Sequence, residues 1–137
     1  MLALYGTQQD IDAIERVQRR AARFVTNKYH NTSSVGNMLQ HLEWRSLQDR
    51  RKDSHLNMFF KIVYNKAEIQ KTDRLIPQKR QTRHSHTKSF QIPSCKTEYR
   101  EEYFFPRTIT DRNKLLENII NSTSLNSFKS SISKLQY

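Results

Sequence analysis

From Ile11 to Val25 the apolar residues Ile11, Ile14, Val17, Ala21, Phe24 and Val25 recur at helical spacing. A helix returns to one face every three or four residues and a strand every two, so this stretch, about Gln9 to Tyr29, is expected to form one amphipathic helix with that stripe buried. Asp10, Asp12 and Glu15 fall in its opening turns, where the helix dipole favours acids, and the bases follow toward the other end. Arg16, Arg19, Arg20 and Arg23 then share one flank beside the stripe.

The next segments keep the helical period. Asn31-Thr32-Ser33-Ser34 is a run of good N-cap residues. It opens a shorter apolar segment, Val35, Met38, Leu39 and Leu42, which Trp44 is expected to close. A third helix is expected from about Ser46 to Lys66, charged in its first half and apolar in its second. Trp44, Phe24 and Phe59 are the expected core anchors.

After Asn65 the character changes. Ile76-Pro77 ends whatever precedes it, because proline pushes the residue before it out of the helical region. Residues 78–89 contain no aliphatic side chain, so they cannot bury enough apolar surface to offset their ordering entropy and are expected to form a mobile or ligand-ordered loop. Phe90 to Pro93 has the make-up of a short edge strand. Pro106 suits the first turn of a fourth helix using Ile109, Leu115, Leu116, Ile119 and Ile120. Ser122-Thr123-Ser124 caps a last one with Leu125, Phe128, Ile132 and Leu135. The expected fold is mainly α: an N-terminal three-helix unit over 1–66, a basic irregular middle loop over 67–103, and two C-terminal helices over 104–137, in one domain overall.

Charge supplies the first indication of a partner. Among 137 residues, 24 are Lys or Arg and 13 Asp or Glu, a net charge of +11. The bases cluster: five and no acid from Arg16 to Lys28, seven against one acid from Arg74 to Arg100. Each phosphate neutralised by such a cluster releases condensed counterions, which favours RNA or DNA as the partner. Arg16, Arg19, Arg20, Arg23, Lys79, Arg80, Arg83 and Lys88 are the expected phosphate contacts. Rings interleaved with cations from Lys79 to Phe90 and from Tyr99 to Phe104 fit single strands, with charge for the backbone and stacking for the bases. The competing reading is a solvated basic surface without a dedicated ligand.

Several chemistries are not expected. Two glycines, Gly6 and Gly36, are too few for a phosphate-cradling Gly-rich loop. No apolar run approaches the roughly 20 residues that span a bilayer, and no membrane partner is expected. One cysteine, Cys95, excludes an internal disulfide and fits a reducing intracellular compartment, cytoplasmic or nuclear. His84-x-His86 with Cys95 is an incomplete zinc set, and Asp10-x-Asp12 at a helix start is explained by the dipole. Cys95 has no identifiable orienting carboxylate. We expect no catalytic residue, metal or cofactor.

Whole motifs resemble a known family. Val17-Gln18-Arg19-Arg20-Ala21-Ala22-Arg23-Phe24-Val25-Thr26 is similar to a block near the C-terminal end of jockey-like non-LTR retrotransposon reverse transcriptases. So are Thr32-Ser33-Ser34-Val35 with Met38-Leu39, Leu42-x-Trp44-x-x-Leu47 and Arg50-Arg51. Met58-Phe59-Phe60-Lys61-Ile62-Val63, Phe104-Phe105-Pro106-Arg107-Thr108-Ile109 and Ser124-Leu125-x-x-Phe128-Lys129 follow in the family's order. The resemblance covers about Asp10 to Ile132. It implies a piece downstream of the polymerase domains that helps hold RNA or DNA, with the upstream reverse transcriptase domain as a further partner. The family's RNA-directed DNA polymerase activity needs an Asp-Asp pair, and this sequence has none. Two departures stand out. Where the family has Asp-Trp-Asn and then Leu-Pro, this chain has Asp111-Arg112-Asn113 and Leu115-Leu116. The first is expected to remove packing surface and the second to let a helix run on, as in a copy drifting without selection.

The expectation is therefore a non-catalytic C-terminal fragment of a retrotransposon reverse transcriptase that contacts nucleic-acid backbone. The alternative is a helical interaction module docking through Phe59, Phe60 and Val63, or an inert relic.

Overall fold

The computed structural model describes residues 8–69, 75–83, 85–94, 96 and 104–135. It is mainly helical, as expected, with α1 (Gln8–Thr26), α2 (Val35–His41), α3 (Leu47–Val63), α4 (Phe104–Asn113), α5 (Glu117–Ile120) and α6 (Leu125–Ser133). The chain divides into two compact units, Met1–Arg51 and Lys52–Tyr137.

In the first unit, α1 packs on α2. Its inward face is not the expected apolar stripe. Ala22 and Gln18 are buried and Ile11 and Glu15 partly so, while Ile14, Val17, Phe24 and Val25 are 50–75% exposed. Hydrogen bonds account for the rotation. Gln18 Nε2 donates to the Arg45 carbonyl at 2.9 Å, and Glu15 Oε1 accepts from the Gln48 backbone N–H at 3.1 Å. Glu15 and the Ser46 hydroxyl, which accepts from Asp49 N–H at 3.1 Å, thus satisfy two of the orphan donors that open α3. The Gln18 and Asp49 bonds are part-buried and the Gln48 bond is exposed, so each is worth about 1 kcal/mol net. Phe24, 75% exposed, and Trp44, 38% exposed, are therefore not core anchors. Ser34 caps α2 as expected, its side chain accepting from Asn37 N–H.

Three helices stop in the same way without glycine. After α1, α2 and α3 the residues Asn27, Glu43 and Asn65 take φ of 52°, 55° and 53°. In each case the next amide reaches back five residues, Lys28 to Arg23, Trp44 to Leu39 and Lys66 to Lys61. This is the Schellman arrangement, and asparagine tolerates its left-handed residue better than glutamate does.

The core of the second unit gathers Leu56 and Phe60 of α3 with Leu115, Ile119, Ile120, Phe128 and Ile132. Phe60 stacks on Phe128 with centroids 4.8 Å apart. Phe59 is wholly buried, as expected of an anchor, and with Phe60 at 4% exposure neither ring is available for docking on a partner. The C-terminal part has three helices where two were expected. α4 ends at Asn113, and Leu116 is extended (φ −66°, ψ 147°) before α5 begins. The helix breaks there even without proline. Ser124 caps α6 as expected, accepting from Ser127 N–H at 3.1 Å.

Candidate nucleic-acid interface

The expected phosphate contacts fall into two sets, one in each unit. On α1, Arg16, Arg19 and Arg20 are exposed and Arg23 is half-buried. At 100° per residue the four span one flank of the helix, and none forms an ion pair with a described carboxylate. The exposed apolar residues lie beside them. Val17, Arg20, Ala21, Arg23, Phe24 and Tyr29 line one open depression of about 670 Å³, in which Tyr29 is 59% exposed. Guanidinium groups and two open rings thus share one face of a single helix and its C-terminal turn. The spacing of the arginines was readable in the sequence. The open rings were not, because the same spacing placed Phe24 in the core.

Lys79, Arg80, Arg83 and Lys88 are all exposed, on the segment without aliphatic residues. That segment is built from braced turns. Ser85 Oγ accepts from Thr82 N–H at 2.8 Å and donates to the Thr82 carbonyl, and Ser89 Oγ donates to the His86 carbonyl at 2.8 Å. Pro77 pairs with Phe90 in a single antiparallel bridge, through Gln78 N–H to Ser89 O and Gln91 N–H to Ile76 O. The edge strand expected over Phe90–Pro93 reduces to that bridge.

The other edge of Phe90 is met by a side chain. Asn113 Oδ1 accepts from Phe90 N–H at 3.2 Å, and Asn113 Nδ2 donates to Phe90 O at 2.7 Å, so the amide stands in for a neighbouring strand. Arg112, 6% exposed, donates from Nη1 to the Lys88 carbonyl at 2.7 Å. Its guanidinium lies 4.7 Å from the Phe90 ring centroid and 5.7 Å from that of Phe59. A flat group therefore packs beside both rings at the position where the loss of a tryptophan was expected to remove packing surface. Burial lowers the Arg112 pKa to about 10. The described residues of 78–89 are thus irregular turns, tied to α4 through Lys88 by a polar anchor that hydrophobicity alone does not reveal.

His86 is also buried, with both ring nitrogens lacking partners, and its pKa is lowered by burial and then by the Arg112 charge. His84, Cys95, Tyr99, Arg100 and Tyr103, singled out in the sequence, lie outside the described residues. Phe90, partly buried under Arg112, and Phe104, edge-on to His55 at 5.6 Å, are engaged in packing and not open to bases. Among the described residues no three His, Cys, Asp or Glu side chains group as metal ligands, and no helix is long and apolar enough to cross a membrane. Comparison with known proteins finds no family model, curated protein or solved structure that this chain matches.

Proposed function

We propose that the chain is a non-catalytic nucleic-acid-binding module, and that it derives from the C-terminal segment of a jockey-like retrotransposon reverse transcriptase. One observation carries the binding reading: Arg16, Arg19, Arg20 and Arg23 share a flank of α1 with no described carboxylate paired to them. Phe24 and Tyr29 beside them supply flat surfaces on which unpaired bases stack, which favours single strands over duplex. Lys79, Arg80, Arg83 and Lys88 are a second exposed set of cations for phosphates. The derivation from a reverse transcriptase rests on the order of the sequence motifs alone.

The test is titration of the full chain with single-stranded RNA, an RNA hairpin and duplex DNA at two salt concentrations. Each phosphate contact on a single strand adds about 0.7 to the slope of log affinity against log salt. Arg16→Ala with Arg20→Ala is expected to lower the slope by about 1.4, two contacts' worth. Phe24→Ala is expected to weaken single-strand binding at unchanged slope. Binding no stronger than that of an unrelated protein of equal charge refutes the reading.

A second reading draws on the same helix. Ile14, Val17, Phe24 and Val25 form an exposed apolar row that fits a protein partner such as the upstream polymerase domain. Docking through this row, with negligible RNA binding at moderate salt, would favour it.

A further inference from the structure

The second unit holds a different cationic site, one that buries its charge. An open pocket of about 380 Å³ is lined by residues that include Tyr64, Lys88 and Arg112, together with the apolar Val63 and Pro77. Arg112 is 6% exposed, yet no described carboxylate neutralises it. The two nearest in sequence are engaged elsewhere: Asp111 pairs with Lys52 at 3.6 Å, and Glu117 accepts from Thr87 Oγ1 at 3.2 Å. A guanidinium carries five N–H donors, and among the described residues one hydrogen bond is made, to the Lys88 carbonyl. The Tyr64 hydroxyl and the Lys88 ammonium form no hydrogen bond or ion pair among the described residues.

A buried charge without a counter-charge is costly, and an anion that completes its hydrogen bonds recovers much of that cost. Phosphate suits a planar fork beside an ammonium and a phenol, because its oxygens accept from several donors at once. The pocket is far larger than a phosphate, and its apolar residues offer contact to an organic group. We propose that Tyr64, Lys88 and Arg112 form a binding site for a phosphomonoester, with the phosphate on Arg112 and Lys88 and the organic part against Val63, Pro77 and the Tyr64 ring. Burial is what lowers the Arg112 pKa, and the Tyr64 phenol acts against that lowering. This site does not depend on the α1 reading.

The experiment is a ¹⁵N NMR titration of the full chain at constant ionic strength, first with inorganic phosphate, then adenosine monophosphate, then adenosine. The expected result is saturable shifts of the Lys88 and Ser89 amides and of Arg112 Nε–H, tighter for the monophosphate than for phosphate and absent for adenosine. Lys88→Ala is expected to weaken binding roughly tenfold, as for loss of one charge-assisted hydrogen bond. Tyr64→Phe weakens it less, and Arg16→Ala with Arg20→Ala leaves it unchanged. Arg112 is left intact because its side chain also holds Lys88. Non-saturating shifts, binding of phosphate at least as tight as of the monophosphate, or affinity indifferent to Lys88→Ala overturns the proposal.

Discussion

Replacing Asn113 by alanine removes both hydrogen bonds that its amide makes with Phe90, at 2.7 and 3.2 Å. Each is worth about 1 kcal/mol net, so the expected loss is about 2 kcal/mol, more if water cannot reach the freed Phe90 groups. Asn113→Asp sharpens the argument. Its shape is the same, and one carboxylate oxygen still accepts from Phe90 N–H, but the other faces the Phe90 carbonyl, acceptor against acceptor. At neutral pH this variant is expected to be at least as unstable as Asn113→Ala. Below about pH 4 the protonated carboxyl donates again and the variant gains on the alanine one. The sign follows from linkage: a carboxyl that must be protonated to bond has its folded pKa raised, so its stability is present at low pH and lost as pH rises through that value. Urea unfolding followed by far-UV circular dichroism measures the loss, and hydrogen exchange at the Phe90 amide localises it. Fluorescence is no substitute, because the single tryptophan, Trp44, belongs to the other unit. A cost below about 0.5 kcal/mol, within the range of ordinary surface substitutions, with Phe90 exchange unchanged, would refute the claim that α4 holds this segment in place.

Three further outcomes are expected. His86 resists protonation in the folded state, so stability should fall as pH drops below about 6.5 and level off below its folded pKa; His86→Leu should flatten that part of a urea-midpoint against pH curve. Glu43→Gly relieves the left-handed residue that ends α2 and should stabilise the chain by about 1 kcal/mol in thermal melts. Phe59→Ala should cost about 3–5 kcal/mol by cavity formation, while Phe24→Ala should leave the melting temperature almost unchanged, since that ring is 75% exposed.

Local signals were legible in the sequence wherever a short-range rule decides the structure. Ser34 and Ser124 cap the helices they were expected to cap, because the relevant hydrogen bond spans three residues. α1 and α3 lie where periodicity put them. Which face of α1 turns inward was not legible, because Gln18 to Arg45 and Glu15 to Gln48 join residues 27 and 33 apart. The anchoring of Lys88 and Phe90 escaped for the same reason: Arg112 and Asn113 reach back 24 and 23 residues. Of the candidate interface, the arginine flank could be read from spacing. The open Phe24 and Tyr29 and the buried Arg112 required the folded chain.

The arginine flank of α1 also governs how copies of this chain meet. Its apolar row lies beside arginines on a chain carrying +11, so two copies approaching through that row bring like charges together. The range of that repulsion is about 10 Å at 0.1 M salt and about 3 Å at 1 M. The chain should therefore behave as a charge-stabilised colloid, dispersed when ions are scarce and associating through α1 as salt rises. A polyanion would act as salt does, but locally, coating the arginines and drawing the apolar rows of neighbouring copies together along its length.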